Sequence, residues 1–230
     1  MGRKKMKMTV KLFISAIAKF LLGVILVGLL LFLPAGTLNW FGGWMLMAIL
    51  FIPMLCAGVV MMIKNPGLLA SRLDAKEKRG KQSAVVKLSG LMFLCGFIVA
   101  GLGVRFGWFM LPMPICILAA TLFIIAYILY AEVLRENTYL SRTIEVQEDQ
   151  KVIDTGLYGI VRHPMYSATL LLFLSMPLVL GSVWSFLIFL AYPFIIAARL
   201  KDEEKFLEEE LEGYREYKEK VKYRLIPFIW

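Results

Sequence analysis

Arg162-His163-Pro164-Met165-Tyr166-Ser167-Ala168-Thr169-Leu170-Leu171-Leu172-Phe173-Leu174-Ser175-Met176-Pro177-Leu178-Val179-Leu180 carries the chain from polar sequence into an apolar run. Its first five residues hold a guanidinium, the only imidazole of the chain, a proline and a phenol. Proline at the first position of a helix loses nothing, because the N–H it lacks has no partner there. That places His163 at the N-cap and Tyr166 in the first turn of a helix that then turns largely apolar. The segment therefore reads as the entry of a membrane helix. The open N–H groups of such a start, with its positive dipole end, favour an anion. With Arg162 beside it, the rim is expected to hold a carboxylate or phosphate.

Outward from this segment the same character recurs. Hydrophobic residues make up 60% of the 230 residues, and the mean hydropathy is +0.73. A soluble core of this size cannot hide so much apolar surface. Runs long enough to cross a hydrocarbon layer of ~30 Å fall at about Leu12–Leu33, Phe41–Ile63, Val85–Val104 and Pro112–Leu134. Two shorter runs follow, Tyr166–Leu180 and Val183–Ala198, separated only by Gly181-Ser182. The fold class is all-α: a polytopic integral membrane protein of about six segments, the last two a tight helical hairpin, with an amphipathic C-terminal helix. Pro177 and Pro193 are the kink candidates, tolerated in a membrane where neighbours satisfy the freed backbone. Residues 1–136 form the N-terminal set of four spans, and 137–230 a distinct C-terminal region.

Charge sets the orientation. Arg3, Lys4, Lys5, Lys7 and Lys11 crowd the N-terminal tail, and Lys64, Arg72, Lys76, Lys78, Arg79 and Lys81 the loop after the second span. The fourth loop and the C-terminal tail are also basic, while the connections Pro34–Trp40 and Arg105–Leu111 hold Arg105 alone. Positive residues stay inside, so both termini and the long loops are expected in the cytoplasm. The net charge of +9 then reads as topology and attraction to anionic membrane lipid rather than to nucleic acid. The first span is too long in its apolar core for a signal peptide, and Met6 stands where a myristoylation signal needs Ser or Thr. Cys56, Cys95 and Cys116 lie inside spans as small packing residues, and one His with three such thiols makes no metal site.

Glu132 and Arg135 stand one helical turn apart and suit a local ion pair. Asn65-Pro66-Gly67 ends the second span, and Leu68, Leu69 and Leu73 suit a short helix on the membrane surface. Thr143–Val146 alternates like a short extended segment, and Asp154-Thr155-Gly156 reads as a turn before Tyr158. From Arg199 to about Val221 the pattern is helical: at 100° per residue, Arg199, Glu203, Leu207, Leu211, Tyr214, Tyr217 and Val221 share one stripe. A carboxylate on an apolar stripe beside a membrane is costly unless paired or used. Arg199, four residues earlier, can pair with Glu203; Glu204 flanks the stripe.

These pieces together resemble the isoprenylcysteine carboxyl methyltransferase and phospholipid methyltransferase superfamily. The resemblance rests on Gly156-Leu157-Tyr158, Arg162-His163-Pro164-Met165-Tyr166, then Arg199, Glu203-Glu204, Leu207, Tyr214, Tyr217, Val221 and Pro227, over roughly Asn137 to the C-terminus. It implies a membrane methyltransferase that uses S-adenosylmethionine and a lipophilic acceptor, such as a prenylated cysteine, a lipid or a small lipophilic molecule. By the same resemblance Gln150, Lys151, Val152 and Ile153 line the nucleoside side. Tyr158, His163, Pro164, Met165 and Tyr166 are further cofactor contacts. Glu203, with or without Glu204, is the acidic cofactor contact, and Arg199 holds the acceptor carboxylate. Catalysis falls to Arg199 and Glu203. Gln150 departs from the family pattern, where many members have His. A phospholipid amine N-methyltransferase is the neighbouring reading. An NADPH-dependent sterol-type reductase and a non-catalytic scaffold or transporter are the others.

Overall fold

The computed structural model describes residues 2–73, 80–140, 146 and 149–230, with side chains omitted for 2–9 and 80–82. Lys76, Lys78, Arg79 and all of the expected extended segment except Val146 lie outside the described residues. Nine α-helices are described: α1 (Gly2–Ala35), α2 (Phe41–Lys64), α3 (Pro66–Leu73), α4 (Gly80–Arg105), α5 (Met113–Glu136), α6 (Pro164–Val179), α7 (Val183–Phe189), α8 (Tyr192–Glu210) and α9 (Tyr214–Lys220). Among the described residues there is no strand, only one isolated antiparallel bridge between Met110 and Ser182.

Five stretches are long and apolar enough to cross a membrane: Val10–Ala35, Phe41–Lys64, Ser83–Arg105, Met113–Glu136 and Val183–Glu210. The shorter apolar helix α6, Pro164–Val179, supplies a sixth segment. Their outward faces are large and apolar, Leu22, Ile63 and Leu33 among them, each well over half exposed. In water such faces would be costly; against lipid tails they are not. The protein is thus an integral membrane protein.

One apolar cluster runs through the bundle, from Leu31, Leu46 and Phe97 through Phe123 to Leu172, Phe189, Ile196 and Leu200. Lipid tails are as apolar as leucine, so helices here gain by close approach rather than by leaving water. Gly101 is the place where this shows. A β-carbon there would stand 2.6 Å from the Leu31 carbonyl oxygen, so α4 meets the backbone of α1 directly.

At one end of the bundle the α4–α5 and α6–α7 links lie against each other, with Leu111 N–H donating to Gly181 O at 2.8 Å. The hairpin expected at Gly181-Ser182 is there, and the Ser182 hydroxyl caps α7 by accepting from Ser185 N–H at 3.2 Å. The second arm of the hairpin breaks at Leu190-Ala191, just before Pro193. At the other end, α3 leaves α2 through Asn65, whose side-chain oxygen accepts from Leu68 N–H at 3.0 Å. Leu68 and Leu69 are buried, and Lys19 Nζ donates to Leu73 O at 2.6 Å. The Glu132–Arg135 pair forms at 2.6 Å.

The amphipathic C-terminal helix is corrected by the structure: it is two helices. α8 ends at Glu210, and α9 starts at Tyr214 after Gly213, whose φ of +81° is a left-handed conformation that glycine adopts without strain. The stripe survives the break, because Leu207, Leu211, Tyr214, Tyr217 and Val221 still meet in one small cluster with Val146 and Val152.

Candidate active site

The end of the bundle where α5 finishes and α6 begins carries an unusual density of polar bonds. The loop between them is pinned first. The Glu136 carboxylate, on the last turn of α5, accepts from Thr155 Oγ1 at 2.8 Å and Leu157 N–H at 3.2 Å. This fixes a short 3-10 turn, Gly156–Gly159, and with it Tyr158. The Tyr158 hydroxyl accepts from Asn137 Nδ2 at 3.0 Å, and its carbonyl accepts from the Tyr217 hydroxyl at 2.7 Å.

Pro164 opens α6 and His163 stands at its N-cap, as the sequence suggests. The chain after α9 then runs back beside this start. Arg162 N–H donates to Tyr223 O at 2.9 Å and His163 N–H to Arg224 O at 3.0 Å. Ser167 Oγ donates to Leu225 O at 2.6 Å. Residues Val221–Leu225 thus form a strap over the mouth of α6.

Beneath the strap lies a buried ion cluster. Glu204 is 3% exposed. Its Oε1 accepts from Arg162 Nε at 2.7 Å and its Oε2 from Arg224 Nε at 2.8 Å. Arg162 spends Nη1 on the Val221 and Lys222 carbonyls, at 2.7 and 2.8 Å. The His163 ring sits among these groups, with Nε2 3.4 Å from Glu204 Oε1 and 3.3 Å from the Tyr214 hydroxyl. The anion held at the rim is therefore the chain's own Glu204, which engages Arg162 in place of the ligand anion expected there.

Glu203, one residue earlier, does something different. It accepts a short hydrogen bond from the Tyr166 hydroxyl, and its side chain stays 20% exposed. Tyr166 in turn accepts from Arg199 Nε at 2.7 Å. The expected Arg199–Glu203 relation thus runs through a phenol that bridges guanidinium and carboxylate.

These groups surround one cavity. The space between its walls is ≈ 770 Å³, counting the part open to solvent. Gln150, Lys151, Val152 and Ile153 line one side; Tyr158, His163, Met165 and Tyr166 another; Arg199 and Glu203 a third. The sequence reading missed Asn137, Tyr139 and Leu140 at the end of α5, which also line it. Arg162, Leu207, Leu211, Tyr214 and Tyr217 complete the wall; for the last four the shared stripe was the signal that could have found them. Pro164 and Glu204 are not among the lining residues. Pro164 is turned into the helix start and Glu204 into the ion cluster behind His163.

Burial raises the Tyr214 phenol well above its ordinary value, and the nearby Glu204 and Glu203 charges push it further. Burial does the same to Tyr158. Both therefore present neutral hydroxyls at any physiological pH. The cavity combines a carboxylate, a guanidinium, several phenols, an amide and an apolar wall, at the edge of a membrane bundle.

Residues 114–212 match the model of the phospholipid methyltransferase family. The match takes in somewhat under half of the chain, from the start of α5 to the end of α8. It agrees with the resemblance drawn from the sequence motifs and supports a membrane methyltransferase. It also begins earlier than Asn137, so α5 is part of the likeness. The Delta(14)-sterol reductase TM7SF2 of Mus musculus is 25% identical over 134 residues, covering 52% of this chain and 32% of the reductase. The chain spans about a third of the length of that curated relative.

Proposed function

We propose that the cavity binds S-adenosylmethionine and that the protein transfers its methyl group to a lipophilic acceptor, in the manner of an isoprenylcysteine carboxyl O-methyltransferase. The observation that carries this reading is the convergence on one cavity of the residues assigned by resemblance, all but Pro164 and Glu204. The residues present fit the cofactor. Glu203 and the phenol rings suit a cation, Gln150 and Asn137 suit a nucleoside's polar edge, and Val152, Ile153 and Leu207 suit its flat faces. When bound, S-adenosylmethionine supplies an electrophilic methyl on sulfur.

The protein's own part is to position and to exclude water. Arg199 lies one helical turn, about 6 Å, further toward the bilayer than Glu203. A polar cofactor reaching the cavity from the cytoplasm and an acceptor from the lipid meet at that level. A carboxylate acceptor is ionised at neutral pH and needs no base, and Arg199 holds it. An amine acceptor needs a base, and Glu203 is the candidate. The lysine and arginine distribution supports a cytoplasmic side for both termini and the cavity.

The likeness to phospholipid methyltransferases fits the amine reading, and the likeness to the mouse sterol reductase is a weaker pointer to a reductase. One experiment separates these. The purified protein is incubated with methyl-labelled S-adenosylmethionine and a lipid extract, and the organic phase is examined by mass spectrometry. Label in a base-labile ester supports the carboxyl reading, and label in a base-stable N-methyl group replaces it with the amine reading. No label in any lipid, with NADPH consumed when it replaces S-adenosylmethionine in a parallel incubation, sinks methyl transfer altogether.

A further inference from the structure

The strap Val221–Leu225 has two faces. The inner face is committed to Arg162, His163 and the core, where Leu225 is 4% exposed. The outer face lines a second hollow, separate from the cavity above. Gly159 and Ile160 form one wall, Lys220, Lys222 and Tyr223 another, and Phe228 a third. Its space, counted in the same way, is ≈ 630 Å³.

Two kinds of group meet there. Lys220 and Lys222 are exposed ammonium groups; Lys220 Nζ also reaches Asp154 Oδ2 at 2.6 Å. Beside them are large apolar side chains turned outward: Ile160 is 51% exposed and Phe228 86%. Apolar area left in water forgoes about 25 cal/mol per Å². The position of the hollow says what covers it. Ile160 stands four residues before Pro164, where the membrane segment α6 begins, and the strap's Leu225 belongs to the bundle's core. The hollow therefore lies at the edge of the bilayer, with cations and greasy groups side by side.

The geometry points to a binding site for an anionic phospholipid, its phosphate on Lys220 and Lys222 and its acyl chains against Ile160 and Phe228. A lipid seated there braces the strap from outside while Arg162 holds it from inside. The binding itself does not rest on the methyltransferase reading.

The test uses the full chain in detergent micelles, titrated with phosphatidylglycerol or phosphatidylcholine and followed by native mass spectrometry. The wild-type protein retains one phosphatidylglycerol under conditions that strip phosphatidylcholine. A Lys220→Gln/Lys222→Gln variant weakens that retention about tenfold. A Lys4→Gln/Lys5→Gln variant removes the same charge elsewhere and leaves it unchanged. Phe228→Ser, which removes no charge, also weakens it and carries the test if the double variant fails to fold. Equal loss in the two lysine variants, equal retention of the two lipids, or displacement by an equal concentration of inorganic phosphate would overturn the proposal.

Discussion

Glu204→Ala will lower the stability of the protein by about 3–5 kcal/mol, the usual cost of breaking a buried ion pair from one side. The carboxylate is the common partner of Arg162 and Arg224, at 2.7 and 2.8 Å, and Arg162 is itself 6% exposed. Without Glu204 the buried Arg162 guanidinium loses its counter-charge, and the partly exposed Arg224 loses its partner. The strap loses its link to α8, and the His163 ring loses a neighbour. Glu204→Gln keeps an acceptor and the side-chain volume, so it loses less. Glu203→Ala, at a partly open cavity wall, leaves the thermal midpoint nearly where it was. Thermal unfolding of the three variants in one detergent checks the order. A Glu204→Ala protein as stable as the wild type would show that the cluster does not hold the site together.

Arg199→Ala will cut methyl transfer by about 10²–10³-fold, the range seen when one aligned donor is removed from a reacting centre. Binding of S-adenosylhomocysteine changes little, because Glu203 still accepts from Tyr166. Arg199→Lys does not restore the rate. A lysine has one donor group and no fork, so it cannot bond Tyr166 and hold an acceptor carboxylate in the same geometry. Separate measurement of cofactor-analogue binding and of turnover checks this. Unchanged turnover would remove Arg199 from the acceptor site, and loss of binding in step with turnover would make it a cofactor contact.

The two adjacent glutamates show where sequence reading stops. A helical wheel places Glu203 on the apolar stripe and Glu204 at its flank, and by that measure Glu203 is the more buried. The wheel knows only the helix itself. Glu204 is buried because Arg162, 42 positions earlier, and Arg224, 20 positions later, close over it. Nothing local to α8 announces either partner. The phenol between Arg199 and Glu203 was equally out of reach, since Tyr166 comes from another helix. The break at Gly213 was missed for a different reason: the stripe continues across it in register, and only the positive φ marks the turn.

Other features were legible because their causes are local. The membrane segments follow from apolar length, the hairpin from Gly181-Ser182 between two apolar runs, and the start of α6 from Pro164. The cavity is legible through its motifs: the resemblance singles out Gln150–Ile153, Tyr158, His163 and Tyr166, and all of them line it. Asn137, Tyr139 and Leu140 are not singled out, because they sit where an apolar helix runs out and no motif includes them.

The central claim is that the cavity is a methyl-donor site. Calorimetric titration of the purified wild-type protein with S-adenosylhomocysteine, and separately with NADPH, tests it most directly. The account predicts binding of S-adenosylhomocysteine, weakened at least tenfold in Glu203→Ala, and no binding of NADPH. Binding of NADPH without S-adenosylhomocysteine, or of neither, would contradict it.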